Sequence, residues 1–426
     1  LPVLNTCLPD YLIIYDDGFN YLTKMCLSNM REATFHMIRM GKKLGCTVIV
    51  SSSDSTDQYE SYLKEGADFI LIGEGEQTLS QLLEILPSAE VSPETVQGIA
   101  FIQGEKVIKT KARPVLQQLD ELPFPAWDLL DIAPYRSMWM KSSGYFSINM
   151  STTRGCPYKC NWCAKPIYGN RYNSRTPDNV VQEIRMLKQL FAFDHIWFCD
   201  DIFGLKPGWV KKWADLISEE KISLRFKIQS RADLLIEEPY VTDLAKAGCE
   251  TVWMGAESGS QRILDAMDKG ISIREIQLAT TLLRKHHIRP CFFIQFGYLG
   301  ETLEDIELTI GMIKSLLPEE LGISISYPLP GTKFYEKVKM DLKTKSHWTD
   351  SDELYMMFRN TYSPQFYKKL HRYVHAIYRQ KKGWVQFKEV VNRPRSAGLG
   401  NVRALFQAAW YLPKIWLQGR QLKKLV

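Results

Sequence analysis

The sequence predicts an α/β protein in which parallel sheets are followed by a basic helical tail. Short β-rich apolar runs alternate with segments of helical period, three times in the first 90 residues and six times between Tyr145 and Phe334. That alternation is the mark of parallel βαβ units. The runs end in small, acidic or glycine-containing stretches, which puts polar groups along the carboxyl edge of each sheet, where open α/β folds and barrels bind ligands. From Tyr355 onward the pattern turns helical, with 15 Lys and Arg against the single acid Glu389.

Composition sets the bounds. With 426 residues, 45% of them hydrophobic, the chain is long enough for a sizeable core in two or three domains, and a disordered chain is excluded. The nine cysteines are odd in number and only three cluster, which suits a reducing compartment and a metal or redox site better than a disulfide framework. The opening residues LPVLNTCLPDYLIIYDD have no basic stretch leading into a sustained apolar one. No run reaches the roughly 18 uninterrupted apolar residues that span a bilayer, and the expected location is cytoplasmic. Net charge is +6, so with so basic a tail everything before it is net negative.

In residues 1–90 the β-rich runs are YLIIY (11–15), CTVIVS (46–51) and DFILIG (68–73), and NMREATFHMIRMGKKLG between the first two has helical spacing and ends on glycine. The edge residues are Asp16, Ser51, Ser52, Gly73 and Gly75, candidates for cofactor contact that also read as ordinary turn residues. Three strands are few for a doubly wound domain, so further chain is expected upstream. Residues 91–140 read as a linker: GIAFIQGEKVIKT (98–110) is a hairpin about Gln103 and Gly104, and LPFPAW (122–127) is a proline-stiffened connector.

Residues 141–340 carry strands at FSINMST (146–152), HIWFCD (195–200), LRFKIQS (224–230), TVWMGA (251–256), CFFIQF (291–296) and GISISYP (322–328). Six successive βα units imply a full or partial barrel of TIM type with its site on the loops after the strands. Those loops carry Cys156, Cys160 and Cys163 after the first strand, Asp200 and Asp201 after the second, Ser230 and Arg231 at the third, Glu257 and Ser258 after the fourth, and Gly297 after the fifth. Singly each is weak, since Asp201 also suits a helix cap and Glu257 a surface ion pair.

The cysteines stand in TTRGCPYKCNWCAKP (152–166), three where a closed tetrahedral site takes four. Soft thiolates fit iron-sulfur ligation, and the spacing also permits zinc completed by a distant ligand. Here the chain resembles the radical S-adenosylmethionine (radical SAM) superfamily, whose C-x3-C-x2-C motif matches Cys156, Cys160 and Cys163. The resemblance implies a [4Fe-4S] cluster with three iron atoms held by the thiolates and the fourth left for S-adenosylmethionine. It also implies that Trp162 packs near the adenine, that Asp200 and Asp201 stand where the methionine amino group is bound, that Ser230 and Arg231 face the ribose and carboxylate, and that Glu257 and Ser258 of GAESGS add contacts. GYLGET (297–302) has Leu299 where proline is common.

DFILIGEGEQTLSQLLEIL, GIAFIQGEKV and LDELPFPAWDLL resemble the superfamily branch with a preceding Rossmann-like, cobalamin-binding domain, here incomplete because two leading strands and a glycine pair are missing. His36 reads as a packing residue rather than a cobalt ligand. YDDGFNYLTKMC, SSSDSTD and YMMFRNTYSPQFYKKLHRYVH resemble the anaerobic magnesium-protoporphyrin monomethyl ester cyclase group. That implies oxidative cyclisation of a porphyrin-like or other large substrate. A cobalamin-dependent methyltransferase and a non-catalytic metal-binding scaffold are the alternatives. Tyr362, Phe366, Tyr367 and Tyr373 are either substrate-lining or an ordinary helix core. The expected partners are a small-molecule substrate and an electron donor such as flavodoxin or ferredoxin, with no nucleic acid.

In residues 341–426 the last stretch, VRALFQAAWYLPKIWLQGRQLKKLV (402–426), mixes Trp and Leu with Lys and Arg. It is too short and too charged to span a bilayer, and it suits either peripheral contact with an anionic membrane or a terminal helix with solvated lysines.

Overall fold

The computed structural model describes residues 2–15, 27–88, 90–163, 167–342, 357–392 and 399–426. In its N-terminal part β1 (Tyr11–Tyr15), β2 (Thr47–Ser51) and β3 (Phe69–Leu71) are parallel neighbours. β2 and β3 are continuous apolar runs because both faces are covered: Ile38 of the helix Leu27–Lys43 is buried on one side and Leu82 of the helix Glu76–Ile85 on the other. Gly41 lets the first helix lie flush, since a Cβ there would stand 2.6 Å from Leu12 Cδ2.

The hairpin read as linker is a hairpin, but it belongs to this sheet. β4 (Ile99–Gln103) pairs antiparallel with β3, and β5 (Lys106–Lys109) pairs with β4, giving five strands in the order β1-β2-β3-β4-β5. Local turn chemistry announces a hairpin; its partner strand is a matter of long-range burial, here of Ile99, Ala100 and Phe101.

The second sheet is all parallel, in the order β13-β12-β11-β10-β9-β6, and curls into a half-barrel. Its strands are β6 (Ser147–Met150), β9 (His195–Phe198), β10 (Phe226–Ser230), β11 (Cys249–Glu257), β12 (Arg289–Phe296) and β13 (Leu321–Ile325), each within a few residues of its expected place. The short pair β7 (Thr153–Arg154) and β8 (Asn173–Ser174) stands apart. Side chains alternate across the strands. Phe198 and Phe226 pack against Trp213 of an outer helix, with ring centroids 5.7 and 5.1 Å away. Their neighbours Trp197 and Lys227 therefore face the concave side, as do Trp253 and Phe293, which stack at 4.7 Å.

The C-terminal helix expected from Tyr355 starts at Pro364, because proline's fixed φ suits the first helical turn. Phe366 and Tyr367 are buried in the barrel's core and Tyr362 stacks on Phe366 at 4.4 Å, so these aromatics are core. The helix Pro364–Asn392 packs along the last one, Leu399–Lys423.

Candidate functional site

The cysteine loop leaves β6 and is closed at its neck by the β7–β8 pairing, Thr153 with Ser174 and Arg154 with Asn173. Gly155, at φ +80°, opens it: a Cβ would lie 2.4 Å from the carbonyl oxygen of Arg171, so no other residue fits there. Asp200, fully buried, fastens the same neck. Its carboxylate accepts the backbone N–H groups of Thr152 and Thr153 and the Thr152 hydroxyl, each at 2.7 Å. The structure thus gives Asp200 a positioning role, while Asp201 is exposed at the rim.

The far side of the loop is held by Asn161. Its N–H bonds the Met267 carbonyl at 3.0 Å, its side-chain amide bonds that of Ala266 at 2.7 Å, and its own carbonyl accepts from Phe334 N–H at 2.9 Å. Tyr298 in GYLGET reaches the Asn161 side chain at 2.7 Å. Gly297 stands one residue earlier, its N–H donated to Glu301 at 2.6 Å and its carbonyl taken by Asn360 at 2.7 Å.

Two cations flank Cys160. Arg231, 4% exposed, places Nη1 4.0 Å from the sulfur and lies 3.6 Å over the Tyr158 ring, while Asp233 and the Lys269 carbonyl fix it. Lys269 donates to Glu257 at 2.7 Å, both side chains buried. Burial opposes its charge, but the Glu257 carboxylate and the Cys160 sulfur outweigh it and raise its pKa. Gly255 makes the room, since a Cβ would stand 2.5 Å from both partners, and Glu257 itself is held at φ +55°. Ser258 faces the other way, its hydroxyl 3.1 Å from Thr309 and accepting Ser260 N–H at 3.1 Å, so it shapes the turn. Ser230 is buried beside Arg231, and Trp162 packs into the barrel core with Lys269 Nζ 5.9 Å from its ring.

Lys269, Asn161 and Tyr298 were not singled out from the sequence. Nothing in DKG, CNWC or GYLG separates them from surface or packing residues; only proximity does.

At the N-terminal sheet, Ser51 and Ser52 are buried, and the Ser52 hydroxyl accepts Ser55 N–H to cap the helix Ser53–Asp57. Asp54 behind them bonds Arg31 at 2.5 Å and Tyr62 at 2.6 Å. Gly73 takes φ +86°, and Gly75 leaves no space for a Cβ, which would be 2.9 Å from the Ser51 hydroxyl. Asp16 lies outside the described residues. His36 is exposed rather than packed. Glu74 and Glu76 both bond Arg154 on the cysteine loop, Glu74 at 2.7 Å. Between this edge, the connector and β6 lies a cavity of about 870 Å³, bordered by Tyr15, Glu76, Phe124, Trp127, Asn149 and Arg154. Cys199, just after β9, also borders it.

Chemically the donor set fits an iron-sulfur cluster. Three thiols free of disulfides stand on one loop, with two buried cations beside them to offset thiolate charge. Among the described residues no three His, Cys, Asp or Glu side chains are close enough together to hold a single metal ion.

The Radical SAM superfamily model matches residues 150–313. An uncharacterized methyltransferase of Pyrococcus horikoshii is 29% identical over 273 residues, covering 63% of this chain and 57% of that protein. The anaerobic magnesium-protoporphyrin IX monomethyl ester cyclase of Synechocystis is 29% identical over 222 residues, 52% of this chain and 43% of that one. The chain thus spans about half the length of these curated relatives. Among solved structures, the cobalamin-dependent S-adenosylmethionine radical enzyme OxsB with aqua-cobalamin bound shares the fold at a TM-score of 0.71 and 16% identity, over 99% of this chain and 65% of its own. The methyltransferase TsrM from Kitasatospora setae, with cobalamin and a [4Fe-4S] cluster, does so at 0.67 and 17%, over 80% and 70%. Residues 150–313 are thus a radical SAM domain, the unit that works with a [4Fe-4S] cluster and S-adenosylmethionine.

Proposed function

We propose that the chain is a cobalamin-linked radical SAM methyltransferase acting on a large, mainly apolar small molecule. The cavity of about 870 Å³ carries the reading, because it joins the carboxyl edge of the N-terminal sheet to the neck of the cysteine loop and so offers a second cofactor a place beside the first. Cys156, Cys160 and Cys163 would hold the cluster, and the cavity's N-terminal wall with Tyr15 and Glu76 would meet cobalamin. When bound, these groups supply a deoxyadenosyl radical and a methyl carrier.

The chain's own residues orient and shield. Asp200, Gly155 and Asn161 hold the cysteine loop in one shape, and Arg231 and Lys269 balance the charge of the thiolates. The concave face offers the substrate aromatic walls, the stacked Trp253 and Phe293, with Trp197 beneath the ammonium of Lys227 at 3.8 Å. A flavodoxin or ferredoxin is the proposed electron source, and peripheral contact with a membrane through the C-terminal region belongs to the same proposal. Oxidative cyclisation is the second reading, supported by the cyclase similarity over half of this chain.

Anaerobic reconstitution with iron and sulfide, then S-adenosylmethionine and a reductant, tests both. S-adenosylhomocysteine among the products supports methyl transfer, whereas 5′-deoxyadenosine alone favours cyclisation. Cys156→Ala, Cys160→Ala and Cys163→Ala should each abolish the iron-sulfur absorbance and all cleavage, and Cys199→Ala should retain both. Loss of the absorbance in Cys199→Ala would overturn the ligand assignment.

A further inference from the structure

The last helix shows two unlike faces. One is anchored: Leu422 is buried in the barrel's core, Gly419 lies against the Tyr373 ring, and the Tyr411 hydroxyl accepts from Arg379 at 3.0 Å. The other is open and apolar in an unusual degree, with Trp410 64% and Trp416 61% exposed beside the exposed Leu412 and Leu417. Among the described residues the exposed tryptophans are these two and Trp384, all in the C-terminal helix pair. Each of the two most exposed carries its own cation, Lys414 4.7 Å from the Trp410 ring and Arg420 4.6 Å from the Trp416 ring. Lys423 at the end of this helix and Lys424 just beyond it are exposed.

We infer that this face seats the protein on an anionic lipid bilayer. The charge is complementary, since the segment from Tyr355 holds 15 cations and one acid while the rest of the chain is net negative, so attraction is confined to this end. Apolar bulk decides among anionic partners. A nucleic acid backbone offers nothing for Leu412 and Leu417, whereas a bilayer takes leucine into the acyl boundary, tryptophan at headgroup depth and lysine at the lipid phosphates. Pro413 interrupts the helix's hydrogen bonding between the aromatic pairs, and no described helix is long and apolar enough to cross a membrane, so the contact is peripheral. The inference deepens the peripheral contact proposed above and stands apart from the chemistry there, which the nucleoside assay tests without lipid.

The full chain is sedimented with phosphatidylcholine vesicles, with or without phosphatidylglycerol, at low and high salt. Binding should need phosphatidylglycerol and weaken with salt. Two variants, Trp410→Ala with Trp416→Ala and Lys414→Gln with Arg420→Gln, should each bind about tenfold or more weaker. Their substitutions sit on an exposed face, so unchanged thermal midpoints will show that the fold is intact. If the chain stays in the supernatant with anionic vesicles at low salt, or both folded variants bind as well as the parent, the proposal fails. It fails equally if the tryptophan pair instead abolishes self-association, or if the face retains duplex DNA but no vesicles.

Discussion

At Glu301 the surroundings decide protonation. The side chain is fully buried, one carboxyl oxygen accepts Gly297 N–H at 2.6 Å, and the other has no hydrogen-bond partner among the described residues. Burial pushes its pKa up to about 8 from 4.5, the Gly297 bond pulling the other way. The folded state therefore keeps a proton that the unfolded chain releases. This contribution to stability is whole below about pH 4.5 and is lost as pH rises to about 8, with a slope of up to about 1.4 kcal/mol per pH unit. Chemical denaturation of Glu301→Gln across that window should show the slope flattened relative to the parent; equal slopes would mean the carboxyl is ionised in the fold. The sequence shows Glu301 only as one acid in GYLGET, because burial is a property of what packs around it, including Tyr367 from a helix far along the chain.

Among the elements, the cysteine loop best shows how local and distant causes combine. Its C-x3-C-x2-C spacing is legible in the sequence, and the half-barrel strands are legible by their pattern, since β9 and β12 are mainly apolar runs bounded by turns and β10 alternates apolar with polar residues. The loop's shape is not, because Asp200, Met267 and Phe334, which hold it, come from other parts of the chain. Gly155→Ala sets a methyl against the Arg171 carbonyl at a left-handed backbone position. It should destabilise the loop by on the order of 1–3 kcal/mol and lower the iron bound per chain after reconstitution, while far-UV circular dichroism stays unchanged. Full iron loading in this variant would show that the neck does not control the ligands.

For the whole molecule the joint between the two sheets is Arg154, its side chain 10% exposed on the cysteine loop and bound to Glu74 and Glu76 of the N-terminal part. Trp127 of the connector adds a bond to Glu183 on the barrel at 2.9 Å. Arg154→Ala leaves the largely buried Glu74 carboxylate with the Leu116 N–H but without that partner, at a cost on the order of 2 kcal/mol. Hydroxocobalamin affinity measured by equilibrium dialysis should fall about tenfold or more, with iron loading of the three cysteines retained. Undiminished cobalamin binding would remove the cavity from the proposed site.

By itself the sequence determined the α/β class, the position of nearly every strand and the cysteine motif. Each of these depends on a period or spacing within a few dozen residues. Only the tertiary structure decided that the β4–β5 hairpin extends the N-terminal sheet, that the helix begins at Pro364, that Lys269 pairs with Glu257 beside Cys160, and that Arg154 ties GEGE to the cysteine loop. These features join residues brought together by folding, and desolvation gives such pairs an energy that no linear pattern carries.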